Sequence, residues 1–339
     1  MARHTPRQTL NARPSPSKNR ENQTPTPQHN EAGVVIANHG AHVDVESSHG
    51  IIHRCSSKKR LGTLVCGDQV LWEPGSHQTG VVIAIEARRT VLTRPDAYGK
   101  LKPVAANIDQ LIVTLAPESA ALYALESDKK NSPPLLLCDT IDRYLVAAEV
   151  AGIHPLIVIN KIEGISAAAR HTILALLQPY LQIGYHAIFT SVRSGEGIAE
   201  LTNHLGDKTS VFVGQSGVGK SSLIDLFLPH ESLRVGTLSG VTGQGRHTTT
   251  TATLYHIAQQ GRLIDSPGVR EFGLWNIEAE KIASAYVEFR SYLGQCKFNN
   301  CQHLTEPGCA ILHAVRCGDI DPRRLTSYHQ LITSLGQPR

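Results

Sequence analysis

Val211-Phe212-Val213-Gly214-Gln215-Ser216-Gly217-Val218-Gly219-Lys220-Ser221-Ser222 runs from a short apolar segment through a glycine-rich turn and into Leu223-Ile224-Asp225-Leu226-Phe227. A buried strand, a tight turn and a helix N-terminus in that order make a phosphate-binding loop. Glycines at 214, 217 and 219 let the backbone curl around phosphate oxygens with no Cβ in the way. The amides of the loop, from Gly214, Gln215, Ser216, Gly217, Val218 and Gly219 to Ser222, point at the anion, and the helix dipole adds to their pull. Lys220 would reach the β and γ phosphates. Ser221 would ligate Mg²⁺, which bridges the same two phosphates.

Downstream, Arg262-Leu263-Ile264-Asp265-Ser266-Pro267-Gly268 places an acid at the end of another apolar run, with a glycine three positions later. Asp265 is expected to hold Mg²⁺, through water, and the Gly268 amide to sense the γ-phosphate. Between the two motifs lies the polar loop Gly243-Gln244-Gly245-Arg246-His247-Thr248-Thr249-Thr250-Thr251. One of its threonines, Thr250 or Thr249, would complete the Mg²⁺ shell.

The element that chooses the base precedes the phosphate loop. Asn160-Lys161-Ile162-Glu163 closes the apolar run His154-Pro155-Leu156-Ile157-Val158-Ile159, so its side chains would project from the carboxyl end of a sheet, where α/β proteins bind ligands. Glu163 could accept from the N1 and N2 hydrogens of guanine, which adenine cannot supply, while Asn160 braces the site and the Lys161 stem covers the base. A second strand, His186 to Thr190, ends at Ser191, where a loop amide would meet the base edge. Together these point to GTP. A Ras-like domain runs phosphate loop, switches, then guanine elements; here the guanine elements and the strand Gln110 to Leu115 come first. The sheet is unchanged if the former ends are joined near Asn203 to Lys208 and the chain is cut after the second switch, because domain termini lie close together at the surface. The fold class is therefore α/β, a circularly permuted Ras-like GTPase domain, with its second switch running straight into the C-terminal region.

That region holds Cys296, Cys301, His303 and Cys309. Three thiolates and one imidazole fill a tetrahedral Zn²⁺ shell and leave no open position, so one structural Zn²⁺ is expected. Cys55, Cys66 and Cys138 read as core residues, and Cys317 or His313 would serve as ligand only if one of the four does not. Helical patterns flank the cluster at 278–293 and 322–335. The 339-residue chain is 41% hydrophobic and 5% aromatic, enough for two or three cores, and no apolar stretch approaches membrane-spanning length. A cytoplasmic monomer with no membrane partner is expected. Residues 1–30 carry five Lys or Arg against one Glu and are rich in Pro, Asn, Gln, Ser and Thr, as a disordered basic tail would be. Short runs between Gly33 and Pro95, separated by turn residues, predict a five-stranded OB-fold barrel with Ser57-Lys58-Lys59-Arg60 in a loop suited to RNA. The expected organisation is a tail over 1–32, the barrel over 33–95, a linker over 96–107, the permuted GTPase domain over 108–275 and a helical zinc-binding domain over 276–339.

An OB-like barrel, a permuted GTPase and a Cys-x4-Cys-x-His-x5-Cys group in that order resemble the bacterial RsgA (YjeQ) family of small-ribosomal-subunit biogenesis GTPases, over nearly everything after residue 33. The resemblance implies a GTPase that binds the 30S subunit late in assembly, is stimulated by it, and grips 16S rRNA with the barrel and the zinc module. Glu163 departs from the more usual Asp, which bears on the strength of guanine selectivity. Ras-like enzymes carry a water-orienting Gln directly after Asp-x-x-Gly, and here that residue is Val269. His247 is the candidate to position the water instead. Two other readings compete: a P-loop ATPase or kinase, which would gain nothing from residues 160–163, and a non-enzymatic RNA-binding scaffold with a structural nucleotide.

Overall fold

The structure is a computed structural model and describes residues 30–96, 98–117, 135–228, 252–265 and 279–335. Residues 1–29 of the basic tail, His247, Thr249, Thr250, Gly268 and Val269 lie outside the described residues, and the barrel's first strand begins at Glu31, two residues earlier than expected.

Strands β1 (Glu31–Asn38), β2 (Val43–Ser47), β3 (Ile52–Ser57), β4 (Gln69–Pro74) and β5 (Thr79–Ile85) alternate buried and more exposed positions, the period expected where one face meets a core. β1 pairs with β2, β2 with β3, β3 with β5 in parallel, β5 with β4, and β4 with β1, so the ring closes without a free edge. This is the expected five-stranded barrel. It is filled by Val35, Val45, Val70, Trp72 and Val82, none of them exposed.

The segment 96–107 corrects the expectation of a plain linker. Its residues Leu101–Ala106 form β7, which pairs antiparallel with β6 (Val91–Pro95). Ala105 and Ala106 are buried, and the Ala106 amide donates to the Cys66 carbonyl at 2.9 Å. A segment whose backbone is bonded at both edges is structure rather than spacer.

The central domain follows in chain order as β8 (Gln110–Leu115), α1 (Leu135–Ala151), β9 (His154–Ile159), α2 (Ala167–Gln182), β10 (His186–Phe189), α3 (Ile198–Leu205), β11 (Thr209–Val213), α4 (Lys220–Phe227), β12 (Thr253–His256) and β13 (Arg262–Asp265). Spatially the strands lie in the order β10-β9-β8-β11-β13-β12, parallel except for β12. Every position of β8 and β11 is buried, as in central parallel strands covered on both faces. The chain leaves β8 toward β9 on one side and β11 toward β13 on the other. The crevice between their carboxyl ends is thus the point where the winding reverses, the place where open α/β sheets bind ligands.

The barrel joins the sheet at its β12 edge, where Ala37 pairs with Thr253 and the Glu46 carboxylate meets His256 Nε2 at 2.8 Å. On the other flank lie α5 (Ala279–Ala285), a 3₁₀ turn at Val287–Phe289, α6 (Ala310–Cys317) and α7 (Pro322–Leu335). The helix expected over 278–293 stops at Ala285. Beyond it the turn lets Tyr286 and Phe289 stack on each other, centroids 5.0 Å apart, and both meet the edge of Tyr328 from α7. Val146 of α1 belongs to this same core. No described helix is long and apolar enough to cross a membrane.

Candidate nucleotide site and metal centre

The phosphate loop leaves β11 at the switch point and returns as α4. Gly214 has φ 142°, and a Cβ there would sit 2.1 Å from the Thr114 carbonyl oxygen of β8, so only glycine lets the loop begin so close to the neighbouring strand. Gln215, Ser216 and Gly217 are exposed, while Val218 is buried beneath them. Gly219, at φ 91°, caps α4 with no side-chain hydrogen bond, which leaves the first amides of the helix to an outside anion. Lys220 is 8% exposed, and its ammonium donates to the Gly214 carbonyl at 2.7 Å and the Gln215 carbonyl at 2.6 Å. Its charge is thereby fixed inside the curl of the loop. Ser221 and Ser222 occupy the first exposed turn of α4, and Asp265 ends β13, the parallel neighbour of β11.

The guanine element converges on this loop. Asn160, 2% exposed, donates from Nδ2 to the Val218 carbonyl at 3.0 Å, and its Oδ1 accepts from the Thr190 hydroxyl at 3.2 Å. Segments 58 residues apart in sequence are therefore bonded through one amide side chain. A Cβ on Gly219 would lie 2.4 Å from that same Nδ2, so the glycine makes room for the brace. Lys161 takes a left-handed conformation at φ 65° and turns the chain into the 3₁₀ turn Ile162–Gly164, in which Ile162 is buried and Glu163 exposed. The Ser191 hydroxyl, with the Glu163 amide, holds the Glu163 carboxyl below its ordinary range. Ser191 is fully buried and its own amide donates to the Glu196 carbonyl at 3.0 Å, so it acts here by orienting Glu163.

Sequence reading missed three residues around this site. Thr190 orients Asn160, and Thr140 and Tyr144 of α1 face the loop. The Gln215 amide donates to Thr140 at 3.4 Å, and the Gly214 backbone faces the Tyr144 hydroxyl, whose pKa burial raises and this contact lowers. A polar residue directly after β10, such as Thr190, carried a signal; Thr140 and Tyr144 sit on a helix that no motif marks.

The second centre is in the C-terminal region. One ligand atom each from Cys296, Cys301, His303 and Cys309 lie within 4.8 Å of one another. Cys296 Sγ is 3.9 Å from Cys309 Sγ and 3.5 Å from His303 Nδ1, which is 3.4 Å from Cys309 Sγ. The Ala310 amide donates to Cys296 Sγ and the Leu312 amide to Cys309 Sγ. His303 has φ 61°, a conformation pinned by His329, whose ring nitrogen lies 2.7 Å from the His303 carbonyl. Glu306 shapes the turn. Desolvation pushes its carboxyl up, but the amides of Gln302, Leu304 and Thr305 outweigh this and hold it at about 2. Burial, then neighbouring sulfurs, push the Cys301 thiol up to about 12, a preference that a metal ion reverses by binding thiolate. The group could hold a metal ion. Cys317 and His313 pair with each other 3.5 Å apart on α6, and Cys55, Cys66 and Cys138 are buried.

Residues 85–275 match the family described as RsgA GTPase. The chain is 47% identical over 311 residues to the small ribosomal subunit biogenesis GTPase RsgA of Haemophilus influenzae (strain 86-028NP), covering 91% of this chain and 86% of that protein. It is 48% identical over 310 residues to the RsgA 1 protein of Vibrio vulnificus (strain YJ016), covering 90% and 84%. YjeQ from Thermotoga maritima superposes with a TM-score of 0.71 at 28% identity, covering 92% of this chain and 100% of the other. The circularly permuted GTPase YloQ gives 0.70 at 27% identity, covering 92% and 97%. With the phosphate loop, the transposed guanine element that clasps it and the barrel in front, these likenesses make the chain a circularly permuted GTPase that belongs to the RsgA GTPase family.

Proposed function

We propose that this GTPase binds the 30S ribosomal subunit and acts late in its maturation, with hydrolysis accelerated by the subunit. The observation that carries the nucleotide part is the Asn160 bond to Val218, which makes one purine triphosphate site of two transposed segments. An ATPase or kinase would gain nothing from that brace or from an oriented Glu163. The names of the relatives, as small ribosomal subunit biogenesis GTPases, support the partner.

In this reading Asn160, Lys161, Ile162 and Glu163 hold guanine, with Ser191 orienting Glu163, and the amides of 214–222 with Lys220 hold the phosphates. Ser221, Asp265 and Thr250, or its neighbour Thr249, would hold Mg²⁺, which would supply neutralisation of the phosphate charge. Lys220 and the loop amides stabilise negative charge spreading over the γ-phosphoryl group as water attacks in line, and His247 orients that water. The Gly268 amide senses the γ-phosphate. In the C-terminal region the donors fit Zn²⁺: a tetrahedral ion with ordinary bond lengths sets sulfurs about 3.8 Å apart and sulfur and nitrogen about 3.6 Å apart, against 3.9, 3.5 and 3.4 Å here. All four positions are filled by protein, so the ion holds structure. The barrel loop at 57–60 and the metal-bearing module grip rRNA, and the protein works as a cytoplasmic monomer.

The test is phosphate release from GTP by the full chain alone, with purified 30S subunits and with 50S subunits. Stimulation confined to 30S is expected, and His247→Ala should keep GTP affinity while losing it. Equal turnover in all three mixtures refutes the assignment.

A further inference from the structure

At the end of the sheet opposite the phosphate loop, a cavity of about 570 Å³ opens between the strand starts of the central domain and the C-terminal module. That volume is ordinary for a small-molecule site. Its walls gather basic side chains from five places: His154 opens β9, His186 opens β10, His204 lies in the last turn of α3, Lys208 precedes β11, and Arg290 reaches in from the C-terminal module. Against them stands one carboxylate, Glu149, which already accepts from Arg290 at 2.7 Å and from the Tyr185 hydroxyl at 3.1 Å. Gln110, 5% exposed, adds a buried amide to the lining, and Leu156 and Ile183 give it an apolar patch. No residue that holds the nucleotide takes part.

We propose that this cavity binds a phosphate-bearing ligand, at a site separate from the GTP site. A lining of ring, ammonium, guanidinium and amide donors with a single, already engaged acid suits a group rich in acceptor oxygens and multiply charged. A cation finds too few acceptors there.

The histidines make the site depend on pH. The His186 and His204 rings lie 5.9 Å apart. Burial, then Lys208, then His186 hold the His204 imidazole below its ordinary pKa, with Glu200 pulling the other way. A phosphate entering between them reverses the balance by favouring the charged rings, so binding takes up protons. With neutral rings the walls offer two fixed cations, Lys208 and Arg290, against one carboxylate, and any ring that takes up a proton adds a positive charge. An anion between the rings favours their charged forms, so affinity should tighten on the order of tenfold from pH 8 to pH 6.

The experiment uses the full chain loaded with Mg²⁺ and a non-hydrolysable GTP analogue, so that the phosphate loop is filled. It is titrated at pH 6 and pH 8 with inorganic pyrophosphate and, separately, with a single-stranded RNA of about five nucleotides. NMR signals of the His186 and His204 rings report the site directly. Their movement with pyrophosphate assigns the site to a free anion, and movement with RNA alone assigns it to an RNA backbone. In either case binding should be on the order of tenfold tighter at pH 6, and the double variant His186→Gln, His204→Gln should lose most of that dependence while binding the GTP analogue as before. Silent rings with both ligands at pH 6, or a double variant with unchanged affinity and pH dependence, overturns the proposal.

Discussion

Replacing Asn160 by Ala removes the two side-chain bonds by which it ties the guanine element to its surroundings, and the two can be separated. The donor side holds the Val218 carbonyl of the phosphate loop at 3.0 Å; the acceptor side takes the Thr190 hydroxyl at 3.2 Å. Asn160 is 2% exposed and Thr190 not at all, so water cannot readily replace either bond. Each contributes about 1 kcal/mol net, and a stranded buried partner adds about 1–3 kcal/mol. Only the bond to Val218 lies in the nucleotide site, and its loss should weaken GTP and GDP alike by about 1–2 kcal/mol, roughly 5- to 30-fold. Thr190→Val removes the other bond and leaves the donor to Val218 in place. It should lower the melting temperature yet change affinity by less than about threefold. Fluorescent GDP and GTP analogues measured by equilibrium titration give both constants. A larger loss of affinity in Thr190→Val than in Asn160→Ala, or a loss for GTP with GDP unchanged, refutes the view that Asn160 clasps the loop.

Glu163→Gln keeps the side chain's length but turns a charge-assisted acceptor into an amide, so preference for GTP over ATP in competition binding should fall at least about tenfold; an unchanged ratio removes Glu163 from base recognition. A chelator, or Cys301→Ser, should release one metal ion per chain and unfold the C-terminal module, read as lost near-ultraviolet signal from Tyr286, Tyr292 and Tyr328, while guanine nucleotide binding survives. Arg324 is 2% exposed between Asp142 and Glu288, with its guanidinium 4.5 Å above the Tyr286 ring, so Arg324→Ala strands two buried carboxylates and should cost about 3–5 kcal/mol in urea unfolding. A cost below about 1 kcal/mol shows that the network is relaxed in solution.

The phosphate loop and the metal ligands were legible because both are local: donors or glycines at fixed spacing around one turn. The fold class was legible because β8, β9 and β11 are unbroken apolar runs, which parallel strands buried on both faces require. Leu101–Ala106 was not, because a Pro within a short run and a Lys beside it resemble a connector, and only pairing with Val91–Pro95 makes it a strand. The early stop of α5 was equally hidden, since the ring stacking that ends it depends on Tyr328, 42 residues beyond Tyr286 in the sequence. Thr140, Tyr144 and Arg324 fall in the same class. Each acts across the fold, through a partner that no spacing rule connects to it.

Those three residues all bear on one element, α1. On α1, Thr140 and Tyr144 are four residues apart and so lie on one face, the face that meets Gln215 and Gly214 of the phosphate loop. Asp142, two residues from each, is turned about 200° away and meets Arg324 of α7, while Val146 packs into the same C-terminal core. One helix of 17 residues thus touches the phosphate loop on one side and the metal-bearing module on the other. A displacement of the loop that shifted α1 would therefore also bear on α7 through the Asp142–Arg324 pair. The permutation gives the nucleotide a covalent route to the C-terminal module through the chain beyond Asp265; α1 gives it a second route by packing alone. If the second route operates, Tyr144→Phe should change hydrogen exchange in α7 between the GDP and GTP-analogue states while leaving nucleotide affinity within about threefold. Exchange in α7 that responds to nucleotide identically in both proteins would leave the covalent route as the carrier.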